Sequence, residues 1–223
     1  MQIEQQVLDF FLALRENNSK QWMDANRSWY SEVKENVKSF SQALEQKINE
    51  VDVIERVKIS RINRDIRFSP NKNPYKDFMW CHYIRFGRER RGGFIFCIEP
   101  GGLSFSGGGF YSPNKEDLLR IRKEFTIDTK TIHTVLGNPD FKNVFGSLKG
   151  ERVKTAPRGF DKDVDNIELV RMKQFYASRN YTDDEVVRAD FLDRIYESYT
   201  AIRPFFDYMS EVLTTNLNGE RII

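Results

Sequence analysis

With 223 residues, 39% hydrophobic and 30% charged, the chain has the composition of a folded protein and a length suited to one hydrophobic core. Two cysteines (Cys81, Cys97) and two histidines (His82, His133) exclude the usual zinc and iron–sulfur ligand sets, so no metal and no cofactor is expected. A net charge of +2 gives no chain-wide affinity for polyanions, and no apolar run approaches the roughly 18 residues that cross a membrane.

The predicted elements follow in chain order. Residues 3–16 carry Val7, Phe10, Phe11 and Leu14 at helical spacing, and Asn17 and Asn18 stop the pattern. The same segment lacks the basic-then-apolar order of a signal peptide, so a cytoplasmic protein is expected. A second helix is predicted from Asp24 to Ile48, with a stripe of Trp29, Val33, Val37, Phe40, Leu44 and Ile48. From Val57 the period falls to two, and "VKISRINRDIRF" reads as a strand that ends at "SPNKNP". "HYIRFG" is a short strand, "RERRGG" a solvated hairpin tip, and "GGFIFCIEPGG" a strand with Phe94, Phe96 and Ile98 on one side. "LSFSGGGF" is another strand, whose three glycines mark a bulge or a close approach to the backbone.

Ser112 and Pro113 then open a helix that continues through Leu118, Leu119, Ile121, Arg122 and Phe125. Short helical pieces follow at 129–136 and 139–145, then an extended loop, then a strand at about 174–178. Thr182 and Glu185 make a capping box for a helix reaching about Tyr199, and Pro204 opens the last helix. The fold class is α+β. A central antiparallel sheet covers about residues 57–110 plus the late strand, because its connections are too short for crossovers. Helices flank it at both ends, and one domain over residues 1–223 is expected.

Charge is unevenly spread. Residues 61–91 hold nine Lys or Arg against three Asp or Glu, while the rest of the chain is net negative. The densest part is "RINRDIRFSPNKNPYK". On a strand, Arg61, Asp65 and Arg67 would point the same way, about 7 Å apart at alternate positions. Asp65 would stay ionised between guanidinium groups and orient them, and such an array suits a carboxylate or a phosphate. Lys72, Tyr75 and Lys76 follow, with Pro74 stiffening the backbone beside them. The same residues also read as a surface salt-bridge ladder that binds nothing.

This stretch resembles the signature of a bacterial family of unknown function, Arg-x-x-Arg-Asp-x-Arg-Phe followed by Asp/Asn-Lys-x-x-Tyr. The matching positions are Arg61, Arg64, Asp65, Arg67, Phe68, Asn71, Lys72 and Tyr75. "NNSKQWMDANR", "IEPGGLSFSGGGFYSP", "APRGFD" and "RMKQFYASR" also resemble family segments, with Met23 where an aromatic is more usual. The resemblance spans nearly the whole chain and implies no established activity. Its segments suggest a joint site. Arg61, Arg64, Arg67, Lys72, Tyr75, Lys76, Arg158 and Lys173 would bind an anionic group, with Asp65 and Glu99 as orienting or acid–base residues. For Glu99 a turn-capping carboxylate is the plainer reading, and for Arg158 and Lys173 a structural salt bridge.

No phosphate-binding GxxxxGK[ST] loop, dinucleotide GxGxxG or GxSxG elbow is present. The nuclease-type pattern fails because "EPG" stands where a lysine is needed. Three readings stay open, with or without catalysis. They are a small anionic, perhaps phosphorylated, ligand; nucleic acid, given Tyr75, Phe78, Trp80, Tyr83 and Phe86 among the cations; and an interaction module without a ligand. Oligomeric state is open.

Overall fold

The computed structural model describes residues 1–222. In chain order its elements are α1 (Gln5–Glu16), α2 (Lys20–Ala25), α3 (Arg27–Ile48), β1 (Ile54–Ile59), β2 (Met79–Arg85), β3 (Gly93–Ile98) and β4 (Ser104–Phe110). There follow α4 (Lys115–Ile127), α5 (Thr131–Gly137), α6 (Pro139–Phe145), α7 (Ile167–Val170), β5 (Phe175–Tyr181), α8 (Asp183–Val186) and α9 (Phe191–Thr214). The strands form one antiparallel sheet in the order β1-β2-β3-β4-β5, with helices towards both termini, which is the expected α+β class. No helix among the described residues is long and apolar enough to cross a membrane.

The chain groups into two compact units. The first comprises Met1–Ile84, Ile95–Ser106 and Asn180–Glu197, and the second Arg85–Phe94, Gly107–Arg179 and Ser198–Ile223. In the first unit, α1 buries Val7, Phe10, Phe11 and Leu14, and Phe10 packs against Trp22, Trp29 and Tyr30 at ring distances of 5.7, 5.3 and 5.8 Å. The α3 stripe buries Val33, Val37, Phe40, Leu44 and Ile48, and Phe40 meets Phe96 and Phe191. In the second unit, Phe94 packs on Tyr199 and Phe206, and Phe125 on Phe175.

The helix predicted from Asp24 to Ile48 is α3, which starts at Arg27, and the short helix α2 precedes it. Ser19 Oγ accepts from Trp22 N at 3.2 Å to cap α2, and Asn26 separates it from α3. Asn114, not Ser112, caps α4, with its side chain accepting from Asp117 N at 2.7 Å. The Thr182–Glu185 capping box forms, but its helix stops at Val186. Pro204 lies inside α9 and does not open a helix of its own.

The glycine run of β4 is a place of close approach, as its sequence suggests, and what approaches is strand β5. A Cβ on Gly109, whose φ is 147°, would lie 2.3 Å from the Phe175 carbonyl oxygen, and one on Gly107 would lie 2.0 Å from that of Ala177. The bare backbone lets the two strands come together without a side chain between them.

The main correction concerns the basic motif. β1 ends at Ile59, so Arg61–Phe68 is not a strand. Ser60 N donates to Trp80 O at 2.9 Å, and the chain then leaves the sheet as a loop. The loop is closed by an isolated bridge between Asn63 and Tyr75, with Arg64 N on Pro74 O and Lys76 N on Ile62 O, both at 2.8 Å. The alternation misled because its apolar members do different jobs. Ile62 is buried, whereas Phe68 is 94% exposed. Pro70 and Pro74 also withhold the N–H groups a longer ladder would need.

Candidate functional site

The site is built in the first unit, where the loop folds back over the end of β1. It frames an open cleft of about 1070 Å³, lined by Val57, Lys58, Ile59, Ser60, Arg61, Asn63, Arg64, Asp65, Ile66, Arg67, Lys76 and Trp80. Five cations thus line the cleft against one carboxylate. The floor is apolar and contributed by the sheet. Along β2, Met79, Cys81 and Tyr83 are buried while Trp80, His82 and Ile84 are half-buried, so Trp80 belongs to the less covered face. His82 shares that face, and its pKa is lowered by burial and by the charge of Lys58. Lys58 therefore belongs to the same surroundings as Trp80.

The cations differ in how they are held. Arg67 Nε and Nη2 donate to Asp65 at 3.0 and 2.7 Å, and this hydrogen-bonded pairing draws the Asp65 pKa down. Both side chains are largely exposed, so the pair is a local clasp. Lys72 Nζ donates to the Ile66 carbonyl at 3.0 Å, and Lys76 Nζ to that of Arg61 at 2.7 Å. Burial, then the neighbouring Arg64 charge, lowers the Lys76 pKa. Tyr75 is buried and fixed by Asn18, which accepts from Tyr75 N and donates to Tyr75 O, each at 3.0 Å.

Arg64 is the most enclosed of the motif arginines, with 22% of its side chain exposed. Its Nη2 lies 3.7 Å from Asp77 Oδ1. Its Nε is buried and meets no acceptor among the described residues. Asp77 also takes Arg15 Nε at 2.5 Å, and Arg15 Nη2 reaches Glu99 Oε1 at 3.5 Å. Glu99 thus joins this charge cluster. Its pKa is raised by burial first and by Asp77 second, against the opposing pull of Arg15 and Arg64. Glu99 does not cap the glycine turn after β3. Asp183 does, accepting from Gly101 N at 3.0 and 2.9 Å and from Gly102 N at 3.0 Å.

Arg61, Arg64, Asp65, Arg67 and Lys76 therefore share one cleft, and Glu99 stands behind Arg64 through the Arg15–Asp77 network. Lys72 and Tyr75 shape the loop. Arg158 and Lys173 belong to the second unit. There Arg158 lines a cavity of about 460 Å³ with Leu119, Lys123 and Phe160, and Lys173 pairs with Glu151 at 2.5 Å. Two later cations of the basic segment, Arg85 and Arg91, are also in the second unit and form structural pairs. Arg85 is 2% exposed and donates to Asp207 at 2.9 Å, and Arg91 pairs with Asp117, so "RERR" is not simply a solvated tip.

Sequence reasoning missed Lys58, Arg15 and Asp77 as members of the site. Asn18 had a signal, since it falls in the quoted "NNSKQW" segment and here clamps Tyr75 of the motif. Arg15 had none, because its partners are 62 and 84 residues away. Among the described residues, no group of three or more His, Cys, Asp or Glu is placed to hold a metal ion.

An α+β protein with a cation-lined cleft at the sheet edge is the class that fold and site define. The chain belongs to the conserved hypothetical protein family DUF2461, whose sequence model matches residues 6–208. No curated protein matches the chain, and no solved structure does.

Proposed function

We propose that the cleft binds a small anionic ligand, most simply a phosphorylated one. The observation that carries this reading is the lining of the cleft, where Lys58, Arg61, Arg64, Arg67 and Lys76 face the single carboxylate of Asp65. An oxyanion seated in the cleft would receive charge-assisted hydrogen bonds from these groups and offset their surplus of positive charge. Arg61, Arg64, Lys58 and Lys76 are the binding residues, and the Asp65–Arg67 pair holds the rim. If the bound group is also transformed, Glu99 is the acid–base candidate, because burial and Asp77 raise its pKa and make it the more readily protonated of the two carboxyl groups. Asp65, with its lowered pKa, is the weaker base.

The test is a thermal-shift titration with inorganic phosphate, pyrophosphate and dicarboxylates. A ligand at 100 times its Kd adds about 2.7 kcal/mol, which for a chain of this size is a rise of about 5 °C or more in Tm. Pyrophosphate is expected to give that rise with the native protein and to lose it with Arg64→Ala. Equal shifts in the two proteins would remove Arg64 from the site, and no shift with any anion would leave the cluster as a salt-bridge scaffold. Arg158→Ala and Lys173→Ala report separately whether those cations reach the same anion.

A further inference from the structure

The cleft holds more than charge, and its floor speaks to what the anion is attached to. Trp80 lines the cleft together with the apolar Val57, Ile59 and Ile66 and with the five cations. Its backbone is fixed at both ends. Trp80 N donates to Ser60 Oγ at 3.1 Å, and Trp80 O accepts from Ser60 N at 2.9 Å. A simple inorganic anion has no use for a half-buried indole on the open side of a sheet. A cation rim around a fixed aromatic platform is the arrangement that grips a phosphate and stacks a flat ring at once. The cleft is also open and has room for both parts of such a molecule.

We infer that the ligand is a nucleotidyl group, with its base stacked on Trp80 and its phosphate held by Arg64 and Lys76. The inference rests on the anion-binding reading and adds the ring to it. The same chemistry is offered by a free nucleotide and by a nucleotide within a single strand. Phe68, 94% exposed on the loop beside Arg67, would give a strand a second stacking surface.

The experiment is calorimetric titration of the full chain with AMP, with ribose 5-phosphate, which has the phosphate and no base, and with single-stranded oligothymidylates of increasing length. AMP is expected to bind at least about tenfold more tightly than ribose 5-phosphate, which is the order of one base–aromatic stack. Trp80→Ala is expected to erase that ratio, and Trp80→Phe to keep most of it. The ratio in the native protein needs no variant, so a poorly folding Trp80→Ala leaves the test intact. Affinity rising with oligothymidylate length and falling in Trp80→Ala assigns the strand as the source, and affinity for AMP without that rise assigns the free nucleotide. If ribose 5-phosphate binds as well as AMP, or if an oligonucleotide binds regardless of Trp80, the ring inference is overturned while anion binding stands. If none of the three binds, both fall.

Discussion

Glu99 shows how one carboxyl group gains a special character from its neighbours. Burial and the Asp77 carboxyl group raise its pKa above the ordinary 4.5, and Arg15 and Arg64 only partly restrain the rise. The native state therefore holds a proton that the unfolded chain has released, in the window between 4.5 and the raised native value. Where the native state binds more protons, stability falls as pH rises. The Glu99 contribution is thus fully present below pH 4.5 and is lost as pH climbs through its native pKa. His82 acts in the opposite sense. Its pKa is depressed from 6.5, so stability from that site grows as pH rises towards 6.5. A comparison of thermal melts for the native protein and Glu99→Gln over pH 4 to 7 separates the two. The native protein is expected to lose stability relative to the variant as pH rises. A constant difference across the range would show that Glu99 titrates normally.

At the scale of elements, the regular helices follow from their apolar spacing. The α1 and α3 stripes read from the sequence are the residues that are buried, because a helix covering a core must repeat its apolar face every three to four residues. Boundaries followed local chemistry less faithfully. Pro204 looks like a helix start, yet α9 runs through it. Its buried neighbours Ile202, Phe205 and Phe206 hold the helix in place. Since Pro204 is exposed and lacks an N–H, it costs one helical hydrogen bond without contributing core packing. Pro204→Ala is expected to stabilise the protein by about 1–2 kcal/mol, the helix gain being offset in part by the freer unfolded chain. A Tm equal to or below that of the native protein would show that α9 is built around the proline. The motif loop is the opposite case. Its period of two looked like a strand, and its cations close on Ile66 O and Arg61 O as a loop instead.

At the scale of the whole molecule, β2, β3, β4, β5 and α9 each contribute residues to both compact units. Because these elements run unbroken from one unit to the other, we propose that the chain unfolds in one cooperative transition. Scanning calorimetry is expected to give one peak whose calorimetric and van't Hoff enthalpies agree, and two separable peaks would count the units as domains. The α+β class, the order of most elements and the concentration of positive charge in residues 61–76 were determined by the sequence itself, because apolar periodicity, turn residues and charge density are local properties. The tertiary structure decided the rest. It moved the motif from a strand to a loop, assigned Arg85 and Arg91 to structural pairs, and brought Arg15 from α1 to Asp77 and Glu99. These outcomes depend on partners dozens of residues away, and chain separation leaves no periodic trace in a sequence.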